Sequence, residues 1–151
     1  VQIAFDLDDT LIPGRDGRPH EPTVPYWFLG LWFKEPLRKG SIELLRTLQG
    51  QGHRLWIYTT SNRPEGYLRF WFALHGVRFV GIVNYDWHEK LVRAGHIPKC
   101  SKYPPAFGID LLIDDSDGVA LEGKRYGFVV LVIDTLDENW TERVLAAVQA
   151  G

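Results

Sequence analysis

Short apolar runs rich in β-branched and aromatic residues recur along the chain, and between them the apolar positions fall three or four residues apart. The runs near residues 2–7, 54–59, 79–83, 110–113 and 128–133 predict strands. Gly40 to Leu48 carries Ile42, Leu44, Leu45 and Leu48 at helical spacing, with Gly50 and Gly52 as stop signals before the next strand. Leu68, Trp71, Phe72 and His75 define a second amphipathic helix, with Pro64 in its first turn and its end near Gly76. Asn139 with Glu142 predicts a capping box for a last helix, whose Val144, Leu145 and Val148 form the apolar face. Strands alternating with helices in this order predict a parallel sheet covered on both faces, an α/β architecture.

Turn formers crowd the segment from residue 11 to residue 35, among them Pro13, Gly14, Asp16, Gly17, Pro19, Pro22 and Pro25. This segment reads as a hairpin-like flap and loop. The 151 residues suit one domain with a substantial core, and no repeat or low-complexity linker divides them. With 45% hydrophobic and 24% charged residues, the composition excludes a disordered chain and a fibrous repeat. A formal charge of -2 offers no general attraction for nucleic acid or for an anionic membrane. No apolar stretch reaches membrane-spanning length, the first residues lack a secretion-signal pattern, and Cys100 alone allows no internal disulfide. A cytoplasmic location is the expectation.

The chemistry concentrates where the apolar runs end. In Phe5-Asp6-Leu7-Asp8-Asp9-Thr10-Leu11, strand alternation extended through residue 8 would turn Asp6 and Asp8 to one side. Two neighbouring carboxylates repel unless a cation or a shared proton compensates them, so the pair suits metal binding or a division of acid and base roles. Thr59 and Thr60 end the second run, and Asp114 with Asp115 ends the fourth. In an open α/β sheet, ligands collect beyond the carboxyl ends of strands, and all these residues fall there. Hard carboxylate oxygens on such a site favour Mg²⁺.

Asp6-Leu7-Asp8-Asp9-Thr10 resembles the first signature of the haloacid dehalogenase (HAD) superfamily, Asp-x-Asp-x-Thr after a strand. Leu55 to Ser61 resembles the second signature, with Thr59 at its hydroxyl position, and Leu111 to Asp115 resembles the fourth. Lys102, or its neighbour Lys99, supplies the lysine of the third. The resemblance implies a three-layer Rossmann-like fold with a mainly parallel five-stranded sheet. It further implies one domain over residues 1–151, with a short flap around 11–35 in place of a large cap. By the same resemblance Asp6 is a nucleophile that forms an aspartyl-phosphate, and Asp8 is the acid/base that protonates the leaving oxygen and then activates water. Thr59, Thr60 and Lys102 would hold the phosphoryl group, and Asp6, Asp8, Asp114 and Asp115 would carry Mg²⁺, Asp8 through its backbone carbonyl. Asp at that position is what favours a phosphatase over a dehalogenase.

The implied activity is Mg²⁺-dependent hydrolysis of a phosphate monoester, with a phosphorylated small molecule or macromolecule as partner. Two alternatives stand beside it: a phosphoacceptor signalling domain, and a HAD-like binding protein with weak chemistry. Receiver-like domains carry their acidic pair early and the acceptor later, the reverse of the order here. The aromatic residues Tyr26, Trp27, Phe28, Trp32 and Phe33 roof the site, recognise a partner or, the favoured reading, pack in the core. The five histidines lack zinc spacing and read as isolated, exposed or partly buried side chains. Gly118 to Lys124 matches Gly-x-x-x-x-Gly-Lys, but Arg125 stands where a phosphate loop needs Ser or Thr, so the stretch reads as a helix and its end. Cys100 lacks the arginine six residues on that a cysteine phosphatase needs and reads as structural.

Overall fold

The computed structural model describes residues 1–14, 18–22 and 35–151. Most of the predicted flap, including Tyr26, Trp27, Phe28, Trp32 and Phe33, lies outside the described residues. Five strands form one sheet: β1 (Gln2–Phe5), β2 (Arg54–Tyr58), β3 (Gly81–Val83), β4 (Leu111–Asp114) and β5 (Val129–Val132). Their order is β3-β2-β1-β4-β5, and every neighbouring pair is parallel. Five helices connect and cover them: α1 (Ser41–Gly50), α2 (Glu65–Leu74), α3 (Tyr85–Arg93), α4 (Asp117–Tyr126) and α5 (Trp140–Ala150). Among the described residues, no helix is long and apolar enough to cross a membrane.

Strand alternation sorts the core into two sides. Ile3, Phe5, Leu55, Ile57 and Ile113 face a cluster completed by Leu44, Leu45 and Leu48 of α1, Leu68 and Phe72 of α2, and Val144 of α5. Ala4, Tyr58, Val83 and Leu112 face the other side, against Val119 of α4 and Ile109. Both faces of the central strands are buried, which is why they read as continuous apolar runs. Two glycines mark places where layers touch most closely. A Cβ at Gly81 would overlap the Trp56 ring across the β2–β3 pair, and one at Gly123 would lie 2.7 Å from the Phe128 carbonyl oxygen. Gly123 therefore belongs to the packing of α4 on its own exit, where α4 ends at Gly127 in the left-handed region (φ 76°).

Four of the five strands are shorter than the apolar runs, while β4 keeps its length and shifts by one residue; at β1 the difference changes the chemistry. β1 stops at Phe5; the Asp6 amide adds one more bond, 2.9 Å to the Ile113 carbonyl. The chain then turns over the Leu7 carbonyl, which accepts from Leu11 at 3.0 Å and Ile12 at 2.8 Å. Asp9 takes φ 62° in this turn, a conformation Asp tolerates better than most residues. Asp6 and Asp8 are therefore not alternate residues of one strand, and their side chains diverge.

Other expectations are corrected at helix ends. Asn139 occupies the position before α5 but its side chain makes no capping bond; its amide donates instead to Asp137 Oδ1 at 2.9 Å. Pro64 sits one residue before α2 with extended backbone (ψ 139°) rather than within its first turn. At α1, Gly40 lacks a capping side chain, and Glu21, 19 residues earlier in the chain, substitutes by accepting from the Gly40 amide at 3.0 Å. Helix α3 was not anticipated. Asn84 caps it by accepting from the Trp87 amide at 3.1 Å, and His88 is its one buried residue.

Candidate active site

The strand order changes direction between β1 and β4, because the chain from β1 goes to one edge through β2 and β3 and then returns to the other. A crevice opens at such a switch point beyond the carboxyl ends of the strands. Asp6 follows β1 on one side of it and Asp114 ends β4 on the other. Between them lies Lys102, whose Nζ donates to Asp6 Oδ1 at 2.6 Å and to Asp114 Oδ2 at 2.5 Å. All three side chains are buried, at 8%, 2% and 3% exposure for Asp6, Asp114 and Lys102, so these charges are held away from bulk water. The other oxygen of Asp114, Oδ1, accepts from the Ser116 amide at 2.9 Å. Ser116 also caps α4, so the helix start and the acid are fixed by one residue.

Only twelve positions separate Lys102 from Asp114, and no α-helix precedes β4 in that interval. A 3-10 turn at Pro104–Phe107 replaces it, and a buried polar chain fixes the lysine's loop. The Tyr103 amide donates to Tyr58 Oη at 2.8 Å, and Tyr58 Oη lies 2.7 Å from His88 Nδ1. His88 Nε2 lies 2.7 Å from the Cys100 carbonyl oxygen. A carbonyl oxygen can only accept, so His88 Nε2–H donates to Cys100, while the Tyr58 hydroxyl, accepting from the Tyr103 amide, pairs with Nδ1. His88 is thus buried and fully partnered, unlike the isolated histidine expected from sequence. Lys99, the competing lysine, is exposed. Burial pushes the Cys100 thiol up to about 11, which leaves it a packing residue.

Asp6, Asp114 and Asp115 bring carboxylate oxygens within 4.8 Å of one another. Burial, reinforced by the charge of Asp114, raises the Asp6 carboxyl to about 7 despite Lys102 beside it. Burial and Asp114 also raise Asp115. Burial works against the Lys102 ammonium, yet the two carboxylates outweigh it and keep the lysine charged. One ammonium facing three acids leaves negative charge uncompensated, and the donors are all hard oxygens. This set fits a divalent cation such as Mg²⁺.

The remaining expected residues are placed unevenly. Thr59 is buried directly after β2, with its Oγ1 accepting from the Ser61 amide at 3.1 Å and lying 3.2 Å from Ser61 Oγ. Thr60 is exposed. Thr10 is buried, and its hydroxyl has no hydrogen-bond partner among the described residues. Asp9 pairs with Arg18 at 3.1 Å, at the outer edge of the turn. The Asp8 carboxylate stands apart from the three-acid cluster and is gripped by Arg63, with Nη2–Oδ1 at 2.9 Å and Nη1–Oδ2 at 3.0 Å. Arg63 also binds Glu35, whose Oε2 accepts from Tyr67 Oη at 2.9 Å. Arg63 was missed in the sequence, although its place four residues beyond Thr59, on a strand's carboxyl side, is where chemistry collects. Glu35 carries no local signal; it reaches the site only through the fold.

A solved structure described as a predicted HAD-like family hydrolase from Porphyromonas gingivalis matches with a TM-score of 0.53, over 98% of this chain and 97% of that one. The fold is HAD-like. Sequence identity between the two is 13%, so the likeness resides in architecture. No protein-family model matches the sequence, and no curated protein matches it. In this HAD-like fold Asp6, Lys102 and Asp114 meet at the carboxyl ends of the neighbouring strands β1 and β4, where the strand order changes direction.

Proposed function

We infer that this chain is a Mg²⁺-dependent phosphate-monoester hydrolase that works through an aspartyl-phosphate on Asp6. The observation that carries the reading is the buried Asp6–Lys102–Asp114 cluster with Asp115 at its edge, which holds a nucleophile and an uncompensated acidic site in one crevice. Asp6, Asp114 and Asp115 would hold the cation, which when bound offsets charge on the phosphoryl oxygens. An Asp6 oxygen attacks phosphorus as the bond to the leaving oxygen breaks, and Asp8 gives that oxygen a proton. Asp8 then takes a proton from water as the water oxygen attacks phosphorus and the Asp6–phosphorus bond breaks. Lys102 stays charged between the acids and orients Asp6, while the Thr59 hydroxyl would turn from Ser61 Oγ to donate to a phosphoryl oxygen.

The grip of Arg63 on Asp8 favours a second reading, a phosphoacceptor or binding domain with little turnover, because both oxygens of the acid/base are engaged as acceptors. One experiment separates the two. Purified protein is incubated with phenyl phosphate and Mg²⁺, and released phosphate and acid-stable phosphoprotein are followed together. Multiple turnovers that vanish in Asp6→Asn support the hydrolase; stoichiometric, lasting phosphoprotein supports the phosphoacceptor. Unchanged turnover in a folded Asp6→Asn protein overturns the assignment of Asp6.

A further inference from the structure

The Arg63 side chain is only 20% exposed, and all five of its N–H donors are used. Nε bonds Glu35 at 3.0 Å, Nη1 bonds Asp8 at 3.0 Å and Ser61 Oγ at 2.9 Å, and Nη2 bonds Asp8 at 2.9 Å and Glu35 at 2.6 Å. The two acids differ in how firmly they are held. Glu35 is 32% exposed and has a second donor in Tyr67, whereas Asp8 is 53% exposed. Asp8 is therefore the partner that separates more easily, and Glu35 is the anchor that keeps the guanidinium in place when it does.

Separation is also what the proposed chemistry requires. A carboxyl that protonates the leaving oxygen needs one of its oxygens released from Arg63. Once Asp8 swings away, the guanidinium presents a fork of two N–H groups shaped for a planar carboxylate or a phosphate. That fork lies beyond Asp8, and its bonds run to Asp8, Ser61 and Glu35 while Lys102 serves Asp6 and Asp114. It thus flanks the leaving-group side of the site.

We propose that Arg63 is a specificity-determining residue that receives a second anionic group, a carboxylate or phosphate on the leaving group, in exchange for Asp8. The preferred substrates are phosphate monoesters with two anionic ends, and docking of the second end frees Asp8 for proton transfer. This proposal rests on the hydrolase reading for its chemistry, while the anion-docking fork stands on geometry alone.

The test compares phenyl phosphate with its meta- and para-carboxy derivatives, in the native chain, in Arg63→Ala and in Arg63→Lys. The expected result is a kcat/KM preference of at least tenfold for one carboxylated ester in the native chain. That preference falls to within about twofold in Arg63→Ala and is intermediate in Arg63→Lys, which keeps the charge and loses the fork. Taking the ratio between proteins cancels the electronic effect of the carboxylate on the leaving group. A native chain that does not discriminate, or a preference that persists in Arg63→Ala, overturns the proposal and leaves the hydrolase reading intact. Equilibrium binding of phenylphosphonate and its carboxylated forms, which cannot be hydrolysed, is measured in parallel by calorimetry. If the phosphonates show the Arg63-dependent preference while no ester is turned over, the hydrolase reading falls and the docking fork stands. If they show none and nothing is hydrolysed, both fall.

Discussion

At the residue scale, Lys102 does more than lend a positive charge. Among the described residues it is the one cation bonded to two buried acids, and removing one member of a buried ionic cluster leaves the others unpaired at a cost of about 3–5 kcal/mol. Lys102→Met is expected to lower stability by an amount in that range in the absence of metal, measured by urea unfolding with a chelator present. Added Mg²⁺ should recover part of the loss, because the ion relieves the same repulsion. Recovery equal to that of the native chain would mean that lysine and metal do not share a burden. The acids that Lys102 joins were legible in the sequence because strand ends in an α/β sheet collect chemistry. Arg63 and Glu35 were not, since one had to be weighed against every other surface arginine and the other lies 28 residues away from it in sequence. The diverging directions of Asp6 and Asp8 were hidden for a further reason: hydrogen bonding to the Leu7 carbonyl, not apolar periodicity, decides where β1 stops.

At the scale of elements, the strands and the helices with wide apolar stripes could be read from periodicity, whereas α3 could not. Its single buried residue, His88, is polar, so its burial is set by the partners Tyr58 and Cys100 rather than by hydrophobic pattern. Those partners make α3 the support for the Lys102 loop. His88→Ala should therefore leave Tyr58 Oη and the Cys100 carbonyl short of partners, costing about 1–3 kcal/mol for each group left unsatisfied. Activity at saturating substrate should fall further than stability explains, with the loss read in kcat for phenyl phosphate under conditions where the variant is fully folded. A kcat equal to the native value would show that the loop holds Lys102 without α3. Helix α4 allows a sharper comparison of magnitudes. Replacing glycine by alanine inside a helix gains about 1 kcal/mol from propensity, but at Gly123 the new Cβ meets the backbone oxygen of Phe128 at 2.7 Å and Val130 at 3.0 Å. Backbone cannot swing aside as a side-chain end can, and overpacking costs about 1–3 kcal/mol. Gly123→Ala should be net destabilising, while Gly66→Ala in α2, where nothing lies within 4 Å, should not be. Thermal melts of the two variants check the sign of each.

At the scale of the whole molecule, the parallel sheet brings Asp6 together with the distant Asp114 and Asp115 at the carboxyl ends of its strands, and the fold bears an electrostatic cost for it. Burial raises Asp6 from 3.8 to about 7, so the folded state binds a proton more tightly than the unfolded chain does. Where the folded state holds more protons than the unfolded state, stability falls as pH rises. The contribution of Asp6 is therefore most favourable below pH 3.8, declines across the window up to about 7, and is fully lost above it. A shift of this size is worth on the order of a few kcal/mol. A divalent cation bound by Asp6, Asp114 and Asp115 acts in the opposite direction, because it requires the ionised acids and competes with the proton. At pH 8, Mg²⁺ at about 100 times its dissociation constant should stabilise the fold by about 2.7 kcal/mol, a rise in melting temperature of roughly 5–10 °C for a chain of this size. At pH 5 the same Mg²⁺ concentration should raise it far less, since Asp6 is then protonated. Asp6→Asn should flatten the metal-free decline between pH 4 and 7 and remove most of the response to Mg²⁺ at pH 8. Melting curves in chelator and in Mg²⁺, taken at both pH values for the native and variant chains, measure all of these effects. An equal Mg²⁺ response at pH 5 and pH 8 would place the cation away from Asp6 and would detach the raised carboxyl from metal binding.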